Sequence, residues 1–348
     1  MKRLFLVAVG LTGILAVKAQ VMSEAISATL QKGDTTTVYY GTDALKTAMD
    51  NAADGSIITL SSGSFAPPSN ITSSVRIYGA GCEEDTITGV TRTYLSGGLV
   101  MNGVNGVHVD NFSMEGVYVN GDFTINNADD DQIENVKLVK CRLGIVNLRE
   151  NTDRTILRQC DIEGNISGNS TVASALMVQN CYVTGEINGF NTSSSVVIDH
   201  CVLRAADGNY SDYYHGPYVY KNSIINRFLG TGAVAVNCIG SQSFITNRNN
   251  NNAVGCYYDF KSWGALFADG QDNLDYLLKS NSAPRSWVLT DPDTYKGDDG
   301  TPVGVTGGDY PWDMIPSTPR ITSSSIASKT VDGKLHVVIK AEAKPVTE

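Results

Sequence analysis

The stretch "MVQNCYVTGEINGFNTSSSVVIDHCVL" (residues 177–203) decides the fold, because an apolar pair, a cysteine and a further apolar residue return in it after about twenty positions. Placing Cys201 in a reference column aligns "VKLVKCRL" (136–143), "TILRQCDI" (155–162), "LMVQNCYV" (176–183) and "VVIDHCVL" (196–203). The cysteines at 141, 160, 181 and 201 are separated by steps of 19, 21 and 20 residues. Carried onward, the same register puts Asn222 of "PYVYKNSI", Cys238 of "AVAVNCIG" and Cys256 of "NNAVGCYY" in the column, and upstream Phe112 of "VHVDNFSM". One period therefore spans the middle of the chain.

The inward set of each unit runs −5, −3, 0 and +2 from the cysteine, as in Val136, Leu138, Cys141 and Leu143. A strand alternates faces with period two, so the extra residue between −3 and 0 marks a corner. The position before the cysteine, held by Lys140, Gln159, Asn180, His200, Lys221 and Asn237, then faces out or lies in a bend. "GIV" (144–146), "GNIS" (164–167) and "GEIN" (185–188) open the next strand round. Units that match residue for residue stack in register at about 4.8 Å per turn, each strand pairing with its copies above and below. The expected fold is all-β, a single-stranded parallel β-helix solenoid. Leucine-rich repeats need a leucine and asparagine pattern that is absent, and the period-two faces exclude helical repeats.

At 348 residues, 42% apolar and with 34 glycines against 18% charged residues, the chain has a real core, many turns and few long helices. The N-terminal "MKRLFLVAVGLTGILAVKAQ" (1–20) has basic residues, an apolar run and small residues at cleavage spacing, which predicts a signal peptide over 1–19 and a mature, secreted, periplasmic or cell-surface protein. No later segment approaches a membrane-spanning length of apolar residues. The net charge is −10, and about −13 without Lys2, Arg3 and Lys18 of the leader. Nucleic acid and anionic membrane are poor partners for such a chain, and a polyanionic glycan needs calcium or a local basic patch to approach it.

A lead-in is expected over 20–40 and a β-helix over 41–313, capped near 41–65 by "DALKTAMDNA", where Thr42 is the expected N-cap and Leu45, Met49 and Ala52 share a face. "DALKTAMDNAADGSIITLSSGSF" (43–65) followed by "VRIYGAG" (75–81) resembles the opening of the pectin lyase-like right-handed β-helix proteins. The segment 275–313 is similar to the closing rung of many exported bacterial members, and the chain after Pro316 is similar to the C-terminal ends of some exported Bacteroidetes proteins. The resemblance implies the right hand, in line with the usual hand of parallel crossovers. It covers 41–313 and leaves activity open, since the family holds lyases, hydrolases, esterases, epimerases and non-catalytic surface proteins. After Pro316, "RITSSSIASKTV" and "KLHVVIKAEA" flank Asp332-Gly333, which predicts an antiparallel hairpin over 314–348.

Pectate lyase-type sites, as the resemblance implies, place carboxylates for calcium beside an Arg or Lys base, and polygalacturonase-type sites place aspartates on neighbouring rungs with Gly-His-Gly. This chain has neither pattern, and "YYHGP" around His215 lacks the leading glycine. The remaining catalytic constellation is Arg158, Asp161, Asp199 and His200, with Lys140 and Lys221 nearby, whose bland alternative is a solvated face. Asp129, Asp130 and Asp131 form an oxygen-rich loop that would suit calcium, the one cofactor suggested, although a plain polar turn has the same composition. The insertion "AADGNYSDYYHGPYVY" (205–220) gathers Tyr210, Asp212, Tyr213, Tyr214 and His215, aromatic faces beside polar groups that suit sugar rings. The cysteine column reads as stacked buried thiols, since parallel side chains point the same way and disfavour disulfides. The expectation is an exported glycan-binding or adhesive scaffold, with a polysaccharide lyase or glycoside hydrolase acting on a uronate polymer as the alternative.

Overall fold

The computed structural model describes residues 26–84, 91–102, 108–126, 133–149, 152–169, 174–204, 218–226, 229–246, 251–268, 287–327, 329–330 and 332–344. The leader, the aspartates 129–131 and the tyrosine insertion at 210–215 lie outside these.

The chain is a parallel β-helix. Its broadest face is a twelve-stranded sheet, its second face has nine strands, and a five-stranded and a three-stranded sheet complete the coil. Register is direct: Leu138, Leu157, Val178 and Ile198 lie over one another on the broad face, and Leu143, Ile162, Val183 and Leu203 on the second. All eight are fully buried, so the expected inward columns form the core.

The skipped residue is a left-handed corner. Lys140, Gln159, Asn180, His200, Asn222 and Asn237 all have φ between 48° and 51°. Such a backbone is costly for most L residues and least so for asparagine, which fills half of these positions. This corrects the alignment at two rungs. Asp199 pairs with Lys221, so Asn222 sits at the corner and Ser223 takes the cysteine position. Asparagine belongs where the backbone must turn left, and Lys221 is on a strand. Upstream, Val117 and not Phe112 precedes Cys141 in the column, because Ser113 pairs with Lys137 and carries Phe112 over Val136. There the phenyl ring stacks on Phe123, with 6.4 Å between centroids, in room that the narrow cysteine corner does not offer.

The thiols from Cys141 to Cys256 form one internal file, broken once by Ser223, and all seven cysteines are free. The single S–H of each of Cys160, Cys181 and Cys201 has two carbonyl acceptors in reach, one two residues earlier and one on the core strand of the preceding rung: for Cys181 they are Gln179 O at 3.2 Å and Leu157 O at 3.4 Å. Ser223 repeats the local half of the pattern, its hydroxyl donating to Lys221 O at 2.6 Å. The corner turns a carbonyl inward, and from Cys141 to Cys238 the next residue is a small donor to it.

At the N-terminal end the lead-in is itself a hairpin, β1 (Ser27–Lys32) and β2 (Thr35–Tyr40), antiparallel to each other. β1 also pairs antiparallel with β3 (Ile57–Leu60), extending the broad face past its first parallel strand. Helix α1 (Ala44–Asn51) buries Ala44, Leu45, Ala48 and Met49 against this end. Its N-cap is Asp43, with no side-chain cap bond, so the expected capping by Thr42 gives way to backbone geometry.

The C-terminal hairpin, Arg320–Ile326 with Val337–Glu342, turns at Asp332 and Gly333, whose φ values are 52° and 74°. It starts beside the early rungs, where Thr318 donates to Gly79 O. Residues 297–318 bring it there by running back along the outside of the solenoid.

Candidate functional site

The returning segment lies on the left-handed corner, and five successive corner side chains, from Asn222 back to Lys140, hold it. Asn222 donates to Asp298 Oδ1 at 2.7 Å and accepts from its N–H at 3.0 Å. One rung earlier His200 Nε2 meets Thr301 Oγ1 at 3.1 Å. Asn180 donates to the carbonyls of Val305 and Gly307, Gln159 to that of Pro311, and Lys140 to that of Ile315. The carboxylate of Glu115 then accepts both the N–H and the hydroxyl of Ser317, at 2.6 and 2.8 Å. The segment is a strap laced to successive rungs. Lys140 also faces Asp313 at 3.8 Å, an acid shared with Lys344. Burial pulls the Lys140 ammonium below its usual value, while Asp313 and Glu115 oppose that.

The four residues of the catalytic constellation do not converge on one cavity. Arg158 and Asp199 share an outward column of the broad face but have Gln179 between them, and Gln179 Oε1 accepts from Arg158 Nε and Nη2 at 3.2 and 3.0 Å. The Arg158 guanidinium lies 3.5 Å from the centre of the Tyr310 ring, which the strap lays over it. Asp161 is round the corner on the second face, fully buried, 3.7 Å from Arg142 Nε. Only Asp199 and His200 meet, Oδ1 to Nδ1 at 2.9 Å.

Asp199, His200 and Thr301 stand in the order of an acid–base relay, yet their chemistry is that of a clamp. The single hydroxyl proton of Thr301 has both oxygens of Asp299 at 2.9 Å as rival acceptors, and its oxygen already accepts the Gly308 N–H at 2.7 Å. Asp299 is 3.5 Å from His200 Nε2, so the ring is held between two carboxylates. A Cβ on Gly307 or Gly308 would come within 2.9 Å of the imidazole, so only glycine lets the strap lie flat there. No room remains above the ring for a substrate.

The second face carries a further column, one residue after the cysteine position of each rung, that points outward: Tyr94, Tyr118, Arg142, Asp161, Tyr182, Val202, Ile224 and Ile239. Its later half is apolar and buried under Leu266, Phe267, Trp287, Leu289, Val303 and Val305. Trp287 packs on Tyr182 at 5.0 Å. The sequence carries a signal for this cover, the apolar residues Val202, Ile224 and Ile239 in an outward register.

The earlier half stays open. Tyr94 and Tyr118 meet edge to face with centroids 5.2 Å apart, Arg92 lies 5.3 and 4.9 Å from their ring centres, and Arg142 lies 5.0 Å from Tyr118 on the next rung. Arg142 is paired with Glu163, its Nε 3.1 Å from Oε1. Burial, and then Glu163, push the Tyr118 hydroxyl above its usual value, so it remains a donor at neutral pH. Among the described residues no cluster of His, Cys, Asp and Glu could hold a metal ion.

No family model, curated protein or solved structure matches the chain. Among the described residues no helix is long and apolar enough to cross a membrane.

Proposed function

We propose that this protein is an exported, non-catalytic β-helix scaffold that binds glycan on its outer strand faces, in the manner of surface members of the pectin lyase-like proteins. The observation that supports this reading is the strap. It covers the corner at His200, and the residues best suited to proton transfer are engaged by it or by each other, at 2.9 Å for Asp199 and His200 and through Tyr310 for Arg158. A lyase or hydrolase needs such groups open to a substrate. Calcium remains an ion the aspartates at 129–131 would accept, and the tyrosines at 210–215 remain a proposed contact, both outside the described residues. The reading is tested by incubating the protein with a panel of uronate polymers, with and without calcium, and by a glycan array. Array binding without unsaturated product or new reducing ends is expected. Turnover that is abolished in Arg158→Ala would overturn it.

A further inference from the structure

Resting on the glycan-binding reading and naming its ligand, we infer that Arg92, Tyr94, Tyr118 and Arg142 form a binding track for an acidic saccharide, one whose ring carries an oxyanion. The track is the half of the second face that no other described residue covers. Where the same outward column continues past Asp161, it is apolar and packed under Trp287 and its neighbours. Before Asp161 it is aromatic and cationic and is left partly open.

Two features fit it to a sugar chain. The strands that present it, Tyr118–Val119 and Arg142–Leu143, are two residues long, so one side chain per rung points outward. Three such rungs give a line about 10 Å long at the spacing of paired strands, narrow enough for a linear chain and too narrow for a protein interface. Tyrosine offers ring surface for C–H faces and a hydroxyl for hydrogen bonds, the combination sugars need.

The charge of the ligand follows from Arg92. Arg142 is matched by Glu163 and approached by Asp161. Arg92 is exposed, leans on both tyrosine rings and makes no ion pair among the described residues. A guanidinium held by two rings is a pre-oriented fork for a carboxylate or sulfate. On a chain of net charge −10 this local cation is what lets an anionic sugar approach.

The experiment is titration calorimetry of the full chain with three probes: an oligogalacturonate, a sulfated dextran oligomer and neutral dextran. At least one anionic probe should bind more tightly than the neutral one, and which one identifies the oxyanion. Arg92→Ala should weaken that binding about tenfold or more, Tyr94→Ala should weaken it too, and Arg92→Lys should restore part of it. Because Arg92 is exposed, the melting temperature of Arg92→Ala should stay at the wild-type value. Equal binding of anionic and neutral probes, or binding unchanged in both Arg92→Ala and Tyr94→Ala, overturns the track and leaves glycan binding elsewhere intact. Failure of every probe and every array glycan overturns the underlying reading as well.

Discussion

The single residue that best shows how this fold is specified is the one after the left-handed corner. Its side chain is buried, has little volume to fill and faces a carbonyl turned inward, so it must be small and able to donate. Cysteine meets all three needs, and Ser223 shows that a hydroxyl does as well. Val117, at the early end, meets only the first. Cys181→Ser is therefore expected to fold with a loss under about 1 kcal/mol, because the new hydroxyl finds Gln179 O. Cys181→Leu should lose about 1–3 kcal/mol by overpacking. Urea unfolding of the two variants checks the order, and a serine variant less stable than the leucine one would show that the column is simply apolar. At the far end Cys256 is half-exposed. A hydrogen bond from Cys238 lowers its thiol to about 7, whereas burial raises the thiols inside the file.

The corner and the strap are one element in energetic terms, since six residues accept left-handed backbone and five of them hold the returning chain. Asn180 separates the two roles. Asn180→Gly keeps the backbone unstrained and loses only the bonds to Val305 O and Gly307 O, a cost of about 1–2 kcal/mol. Asn180→Ala loses the same bonds and forces alanine to φ near 49°, for about 1–2 kcal/mol more. Chemical denaturation should rank wild type above Gly above Ala. Glycine at or below alanine would mean that the corner carries no strain. The periodic half of this element was legible in the sequence, because a repeat displays its columns: the skipped residue located the corner, and Leu138, Cys141 and Leu143 located the core. The strap was not legible. Its partners are backbone carbonyls and glycines more than a hundred residues away from Asn180 and Gln159, and a carbonyl has no side-chain signature. That is why Arg158, Asp161, Asp199 and His200, read along the chain, resembled an exposed catalytic face. The one-residue slip at Asn222 has a simpler cause, an asparagine matched to cysteines when its backbone preference belonged to the neighbouring column.

A solenoid in which each rung touches only its neighbours unfolds as a sum of local steps, and opening at one place need not spread. The strap changes that for the molecule as a whole by joining the rung of Asn222 to that of Glu115 through one continuous segment. The rungs between should therefore open together. Hydrogen exchange on the intact protein is expected to show one cooperative unit across residues 137–221, and Asn222→Ala, which frees the end of the strap, should split it into an early and a late group. Acid should do the same without a mutation. The hydrogen bond from Asn222, with Lys221 helping, holds the Asp298 carboxyl below its ordinary value near 3.9, against a smaller opposing effect of burial. A depressed carboxylate stabilises the fold above its unfolded-state value and loses that contribution as pH falls through the folded value. The latch is thus fully present at neutral pH and still intact near pH 5, and it weakens only below about pH 3.9. Protection factors, which correct for the slower intrinsic exchange in acid, should move at pH 3 part of the way toward those of Asn222→Ala, and Asp298→Asn should remove that share of the difference between pH 5 and pH 3. A unit that stays whole at pH 3, or that splits equally in Asp298→Asn and wild type, would place the coupling in the stacked core and not in the strap.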